Sequence, residues 1–254
     1  MRRACSVQIG VYTMLSGMML SLMSMASLYG QHAHQGEREQ IGEVLGQPVY
    51  RDAIRTGKDV QVRDELHRLF AAPIMQKYRQ RHKAEIEPTE DEIVAVTAFF
   101  DKKHRERIKE KEPELREKLK VVEGKLGRSS LTKEQQRQLE IERRTLEAQL
   151  KPPGRFFAMF MLSNWKFQKH LYERYGGGRI LWQQAGLEAF DAYRTWLEVH
   201  EKQGDFKIAD RTLRSTFYEY WTTMNHGAHL TDDKKLIRSE FLEPEWMPKA
   251  RAKD

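Results

Sequence analysis

Residues 101–151 read DKKHRERIKEKEPELREKLKVVEGKLGRSSLTKEQQRQLEIERRTLEAQLK, a run in which Lys, Arg, Glu and Gln dominate. Its apolar residues are few and regularly placed. Leu115, Leu119, Val122 and Leu126 recur at spacings of three and four, the period of one helix face. Gly127-Arg-Ser-Ser130 interrupts that pattern, and a second helix opens at Thr132 and carries Leu139, Leu146 and Leu150. Two helices, each with one narrow apolar stripe, can cover each other and little else. The stretch is therefore expected to be a charged αα-hairpin standing out from the body, either as a solvated spacer or as a docking arm.

On the carboxy-terminal side, Pro152-Pro153-Gly154 ends the arm and the composition changes, because all five tryptophans lie beyond it: Trp165, Trp182, Trp196, Trp221 and Trp246. The larger core is expected there. Helices are predicted from about Arg155 to Tyr175, from about Leu187 to Gln203 and from about Arg211 to Met224. Gly176-Gly177-Gly178 and Gly204 suit the left-handed conformation that terminates the first two.

On the amino-terminal side, Val62, Leu66, Leu69, Phe70, Ile74 and Tyr78 define a helix face, with Pro73 expected to kink or interrupt it. Thr89 stands three residues ahead of Glu92, so hydroxyl and carboxylate can reciprocally satisfy free backbone donors at a helix start. Ile93, Val96, Phe99 and Phe100 supply the buried face of that helix. Before it, Ile41 to Tyr50 places apolar residues around a Gly46-Gln47-Pro48 turn and predicts a short extended piece or hairpin.

The chain opens with Arg2 and Arg3 followed by an uncharged run from Ile9 to Gly30, the composition of a secretory leader. Cleavage near Ser24-Met25-Ala26 is the expectation. The alternative is retention as a membrane anchor, since the run is about 20 residues long, enough to span a bilayer. Cys5, the sole cysteine, precedes the apolar run, so a lipid-acylated cysteine is excluded; loss of the leader would also exclude disulfides, iron–sulfur clusters and thiol catalysis. Of the net charge of +7, Arg2 and Arg3 contribute +2, leaving +5 beyond the leader. That excess suits acidic or polypeptide partners, and an exported chain is not expected to meet nucleic acid.

With these elements in place, residues Ile41 to Lys103 resemble the amino-terminal domain of the SurA-type periplasmic chaperones. The resemblance rests on Val44-Leu45-Gly46-Gln47-Pro48-Val49, then a Leu-rich helix and a basic stretch, then the helix start from Pro88 to Ile93. It implies binding of extended segments of unfolded envelope proteins, and in related chains a parvulin-type prolyl isomerase domain follows. Here the 51 residues from Asp101 to Lys151 stand in that place, helical and charged, and half the length a mixed sheet of that kind needs. No catalytic residue of that family has a position here to occupy, so isomerase catalysis is not expected, although the family label would carry it.

Other chemistry has weaker signals. His226-Gly-Ala-His229 with Asp232 and Asp233 offers metal-ligand types within eight residues, but the glycine favours a polar loop. His32-Ala-His34 could chelate copper only beside a new amino terminus. Tyr175-Gly-Gly-Gly-Arg179 lacks the strand and the Lys-Ser/Thr of a phosphate loop. Glu188, Asp191 and Glu198 would serve as acid or base groups only if buried. Phe156, Phe157, Phe160, Trp165 and Phe167, with Met159 and Met161, make one helix apolar nearly all round, which suits core packing or an adaptable peptide-binding surface.

The expectation is a mainly helical, all-α protein: a leader or anchor over 1–30, a linker over 31–40, a SurA-like helical region over 41–103, a charged hairpin over 104–151 and an aromatic-rich helical region over 152–254. Its expected role is to hold unfolded or extended envelope polypeptides in the periplasm, without a cofactor or isomerase catalysis. Membrane association would come through the amino-terminal segment. Leu66, Phe70 and Ile74, then Phe156, Phe160 and Trp165, are the candidate client contacts. Two other readings stand beside it: an envelope enzyme or metal-dependent protein using His226 and His229, and a structural partner docking through the arm.

Overall fold

The computed structural model describes residues 38–57, 60–128, 130–183 and 186–247. The leader or anchor, Cys5 and the His32/His34 pair lie outside these residues. The fold is mainly α, with two small three-stranded sheets. Among the described residues no helix is long and apolar enough to cross a membrane.

The chain enters through an antiparallel hairpin, β1 (Gln40–Val44) and β2 (Gln47–Tyr50). Its two-residue turn is Leu45-Gly46, with φ of 51° and 77°, rather than Gly46-Gln47-Pro48. Both left-handed angles match the twist of adjoining strands, which is why a glycine stands at the second position. Leucine at the first is strained, and its amide is held by the Asp205 carbonyl at 2.7 Å. Pro48 sits inside β2, an edge strand, where a missing donor does no harm.

The next helical run is α1 (Val62–Leu66), a π-helical segment from His67 to Ala71, and α2 (Ala72–Arg81). Pro73 therefore interrupts the hydrogen-bond pattern without ending the helix. Its ring occupies the place of an i−4 carbonyl contact and removes one donor, and the preceding turn widens to accommodate it. A short helix α3 (Lys83–Ile86) follows, then α4 (Glu90–Ile108). Thr89 caps α4 as expected: its hydroxyl accepts from the Glu92 amide at 3.3 Å, and the Glu92 carboxylate accepts from the Thr89 amide at 2.7 Å.

The arm consists of α5 (Glu112–Leu126) and α6 (Lys133–Leu150). Thr132 and Gln135 form a second capping box at the start of α6. Only Val122 and Leu146 are buried in the pair, so the apolar stripe is used up by the helix–helix contact itself. At its base the buried His104 donates from Nε2 toward the Leu150 carbonyl, at 3.4 Å.

Beyond the arm come α7 (Gly154–Arg174), β3 (Ile180–Gln183), β4 (Gly186–Glu188), α8 (Phe190–Lys202), β5 (Phe206–Ile208) and α9 (Arg211–Thr222). A two-residue strand β6 (Leu230–Thr231) precedes a short helix α10 (Lys234–Leu236) and a π-helical turn over Ile237–Leu242. The strands β3 to β6 were not anticipated. Each is only two to four residues long, too short for an alternating pattern to emerge.

The order β2-β1-β5 in one sheet joins the two flanks of the arm. One core then unites Ile41 and Val49 of the hairpin, Leu66, Phe70 and Ile74 of the first helices, Phe167 and Leu171 of α7, Trp196 of α8 and Phe217 of α9. The closest approach is at Gly42. A methyl group placed there would lie 2.2 Å from the Lys207 carbonyl oxygen and 2.8 Å from the Phe70 ring. Glu65, buried beneath the loop that follows β2, accepts from the Arg55 and Arg68 guanidiniums, which hold its carboxyl far below the usual carboxylate range.

Gly42→Ala is expected to lower unfolding stability by about 3 kcal/mol through overpacking against backbone that cannot yield. Phe70→Ala is expected to lower it by about 4 kcal/mol through the cavity it leaves. Urea unfolding followed by tryptophan fluorescence checks both; an unchanged midpoint for Gly42→Ala would mean that β1 and β5 are not paired.

Candidate functional site

The residues expected to touch clients divide sharply. Leu66 and Phe70 are 0% exposed and Ile74 1%, so all three are core and unavailable to a partner in the folded chain. Helical spacing marked their face correctly; what it could not show was that β1, β5, α7 and α9 cover it. By contrast Phe156 is 71% exposed, Phe160 50% and Met159 38%.

These three lie on one side of α7. The spacing 156, 159 and 160 places them a turn apart, while Ala158, Leu162 and Phe167 face inward. Phe157 turns toward α4 and meets the Phe100 ring edge-on at 5.2 Å between centroids. The helix is held rigidly behind the exposed face: Gly154 N donates to Asp101 Oδ1 at 3.0 Å, Arg155 bonds both oxygens of Glu90 at 2.6 and 2.7 Å, and Lys166 reaches Glu92 at 2.9 Å. Glu90 and Asp101 share one stripe of α4 with Val94, which is itself exposed. Four apolar side chains thus stand in solvent on a fixed helical pair.

Trp165 belongs elsewhere. Its indole Nε1 donates to the Phe241 carbonyl at 2.6 Å, and its ring meets Trp246 edge-on at 5.2 Å. The residue fastens the carboxy-terminal π-helical turn to α7. It is not part of the exposed apolar face.

The polar candidates resolve as follows. His226 donates from Nε2 to the Tyr220 carbonyl at 2.7 Å and packs against Phe190. His229 is exposed in a 3₁₀ turn, and Asp233 caps α10 by accepting from the Lys235 and Leu236 amides. His226 and Asp233 are thus occupied with local structure, and among the described residues this loop brings no three metal-ligand groups together. Among the described residues the ligand types that do converge are His82, Glu85 and His170. The signal in the sequence was His82-Lys-Ala-Glu85, two ligand types one helical turn apart, and its third member lies 88 positions away.

Of the carboxylates, Glu198 pairs with Arg194 along α8 at 2.7 Å, and Asp191 accepts from the Arg179 amide and guanidinium. Glu188 is different, and it stands on β4 rather than on a helix. Burial raises its carboxyl above the ordinary value of 4.5, against the opposing effect of the Tyr220 hydroxyl, which donates at 2.8 Å. Gln183 also donates to it and to Tyr220. The group joins β3, β4 and α9 as a shared acceptor.

With this geometry in view, the chain was compared with protein-family models, with curated proteins and with solved structures, and none of the three comparisons found a match.

Glu188 carries a pH signature. Its folded-state affinity for a proton exceeds that of the unfolded chain, so the associated stability is full below pH 4.5 and is lost as pH rises through the raised value. Glu188→Gln is expected to remove that decline and to raise the melting temperature at neutral pH. Thermal melts of both proteins from pH 4 to 8 check this; parallel pH profiles would show that Glu188 titrates normally.

Proposed function

We propose that this protein is a periplasmic, SurA-like helical chaperone lacking an isomerase domain. It holds extended apolar segments of unfolded envelope proteins against the outer face of α7. The observation that carries the reading is the exposure of Phe156, Met159 and Phe160 on a helix whose opposite face is locked into the core. The leader and the hairpin-then-helix pattern from Val44 to Ile93 support it from the sequence.

Magnitudes favour weak, reversible holding. Covering one fully exposed large apolar side chain yields about 2 kcal/mol, and these three are already partly covered, so together they give at most about 6 kcal/mol before ordering costs. That corresponds to a dissociation constant of about 40 µM or weaker, with turnover of clients rather than storage. Aromatic and methionine side chains tolerate varied partners because they pack without demanding a fixed hydrogen-bond pattern.

A second reading, a structural partner docking through the arm, is favoured by Val121 and Ile141, which are exposed on the otherwise charged α5 and α6. Replacing residues 112–150 with a short linker separates the two. The first reading expects client holding to survive the deletion, and the second expects loss of a specific envelope complex with the rest of the fold intact.

The direct test dilutes an unfolded outer-membrane protein into the purified chain and follows aggregation by light scattering. Suppression is expected for the wild type once its concentration reaches about 40 µM or more, the range of that weak affinity. The double variant Phe156→Ser/Phe160→Ser is expected to melt within a degree or two of the wild type, because both residues are solvent-facing, and to need several-fold more protein for the same suppression. No suppression by the wild type at concentrations several-fold above about 40 µM, or suppression by the double variant equal to that of the wild type, would overturn the assignment.

A further inference from the structure

We infer that His82, Glu85 and His170 form a binding site for a transition-metal dication of the zinc class, one that clamps the α2–α3 junction to α7. The inference is independent of client binding.

The geometry is set by three elements. His82 is the residue at which α2 ends and α3 begins, with its amide bonded to the Tyr78 carbonyl at 3.0 Å. Glu85 follows one turn later, and its carboxylate stands 2.9 Å from His82 Nδ1 and 3.4 Å from His170 Nδ1. His170 projects from the buried side of α7. All three ligand atoms lie within 4.8 Å of one another. Tetrahedral bonds of about 2.0–2.1 Å space ligand atoms at roughly 3.4 Å, so the widest pair must close by up to about 1.4 Å. The Glu85 carboxylate already stands at about that spacing from both rings, so the adjustment falls mainly on the two imidazoles, with Glu85, about half exposed, free to follow.

The surroundings suit a metal ligand. His170 is 8% exposed, and its Nε2 lies 3.0 Å from the Tyr78 hydroxyl. With the proton on Nε2 donated to that oxygen, Nδ1 keeps its lone pair toward Glu85, the usual way in which a partner at the far nitrogen orients a ligating imidazole. Burial also lowers the proton affinity of His170, which favours the neutral ring a metal requires. Tyr78 and His82 are in ring contact at 4.4 Å, and His82 and His170 at 4.9 Å, so both imidazoles are held by their neighbours.

Arg174 is the competing cation. Its guanidinium bonds Glu85 Oε2 at 3.1 Å, and its side chain is half exposed and free to turn to solvent once a dication takes the carboxylate. Two imidazole nitrogens and one carboxylate oxygen select zinc, cobalt, nickel or copper over magnesium and calcium, which prefer oxygen donors. Three protein ligands leave one tetrahedral position for water or an external donor.

The test uses the full chain, stripped with chelator and dialysed, then titrated calorimetrically with ZnCl₂ beside MgCl₂ and followed by thermal melting. One zinc per chain is expected, with a melting temperature raised by several degrees at saturating zinc and unmoved by magnesium. Glu85→Ala, at an exposed position, is expected to leave the metal-free melt nearly unchanged and to lose the zinc-dependent shift; His82→Gln should weaken binding at least tenfold. Absence of stoichiometric zinc in the wild type overturns the site. So does a zinc shift retained in both variants, since the ion would then be held by other histidines.

Discussion

The arrangement depends on a single close contact, the seating of the Phe70 ring against the bare α-carbon of Gly42 while the same residue lies beside the Lys207 carbonyl. Gly42 and Ile208 are partners in the β1–β5 ladder, so the sheet can close only where one strand presents no side chain. This closure brings a segment before the arm and a segment after it into one hydrophobic core. Asp205 reinforces it twice: its carbonyl accepts from Leu45, and its carboxylate accepts from the buried His200 at 2.6 Å. The strained Leu45 turn is held in place by that bond and by packing against the same core.

The charge distribution follows from the packing. Where the chain can bury apolar surface on several sides it carries aromatics, and where it can bury only one stripe it carries ion pairs along the helix. In the arm, Arg116 pairs with Glu112 at 2.6 Å, Lys118 with Glu114 at 2.6 Å and Arg143 with Glu147 at 2.8 Å, all four residues apart. Such exposed pairs contribute a few tenths of a kcal/mol each, enough to support a helix that receives little from tertiary contact. The arm is thus a locally encoded element, attached to the body at the end of α4 and the beginning of α7.

Against this background the exposed apolar side of α7 stands out. Twenty-one residues of helix are buried on one side, bonded to α4 by Arg155 and Lys166, and yet show two phenylalanines and a methionine to solvent. Core demand accounts for Ala158, Leu162 and Phe167 and leaves Phe156, Met159 and Phe160 exposed to solvent over a third or more of their surface. The two sites inferred for the molecule lie at different positions along the same helix. The apolar contact surface occupies its first turns, and His170 lies near its end.

Helix content, the capping box at Thr89, the helix start at Thr132, the hairpin and the arm were legible in the sequence because each is set by contacts within a few residues of itself. Periodicity alone also marked Leu66, Phe70 and Ile74 as one apolar face, but it could not say whether that face meets solvent or a core. Covering it required β5, α7, α8 and α9, which arrive after the arm. The same limit applied to α7, apolar on both sides in sequence and buried on one. It applied most strongly to His82, Glu85 and His170, since an 88-residue separation leaves no spacing to read. Local hydrogen bonding and apolar period are written along the chain, whereas burial and the meeting of distant side chains arise only when the β1–β5 pairing folds its two flanks together.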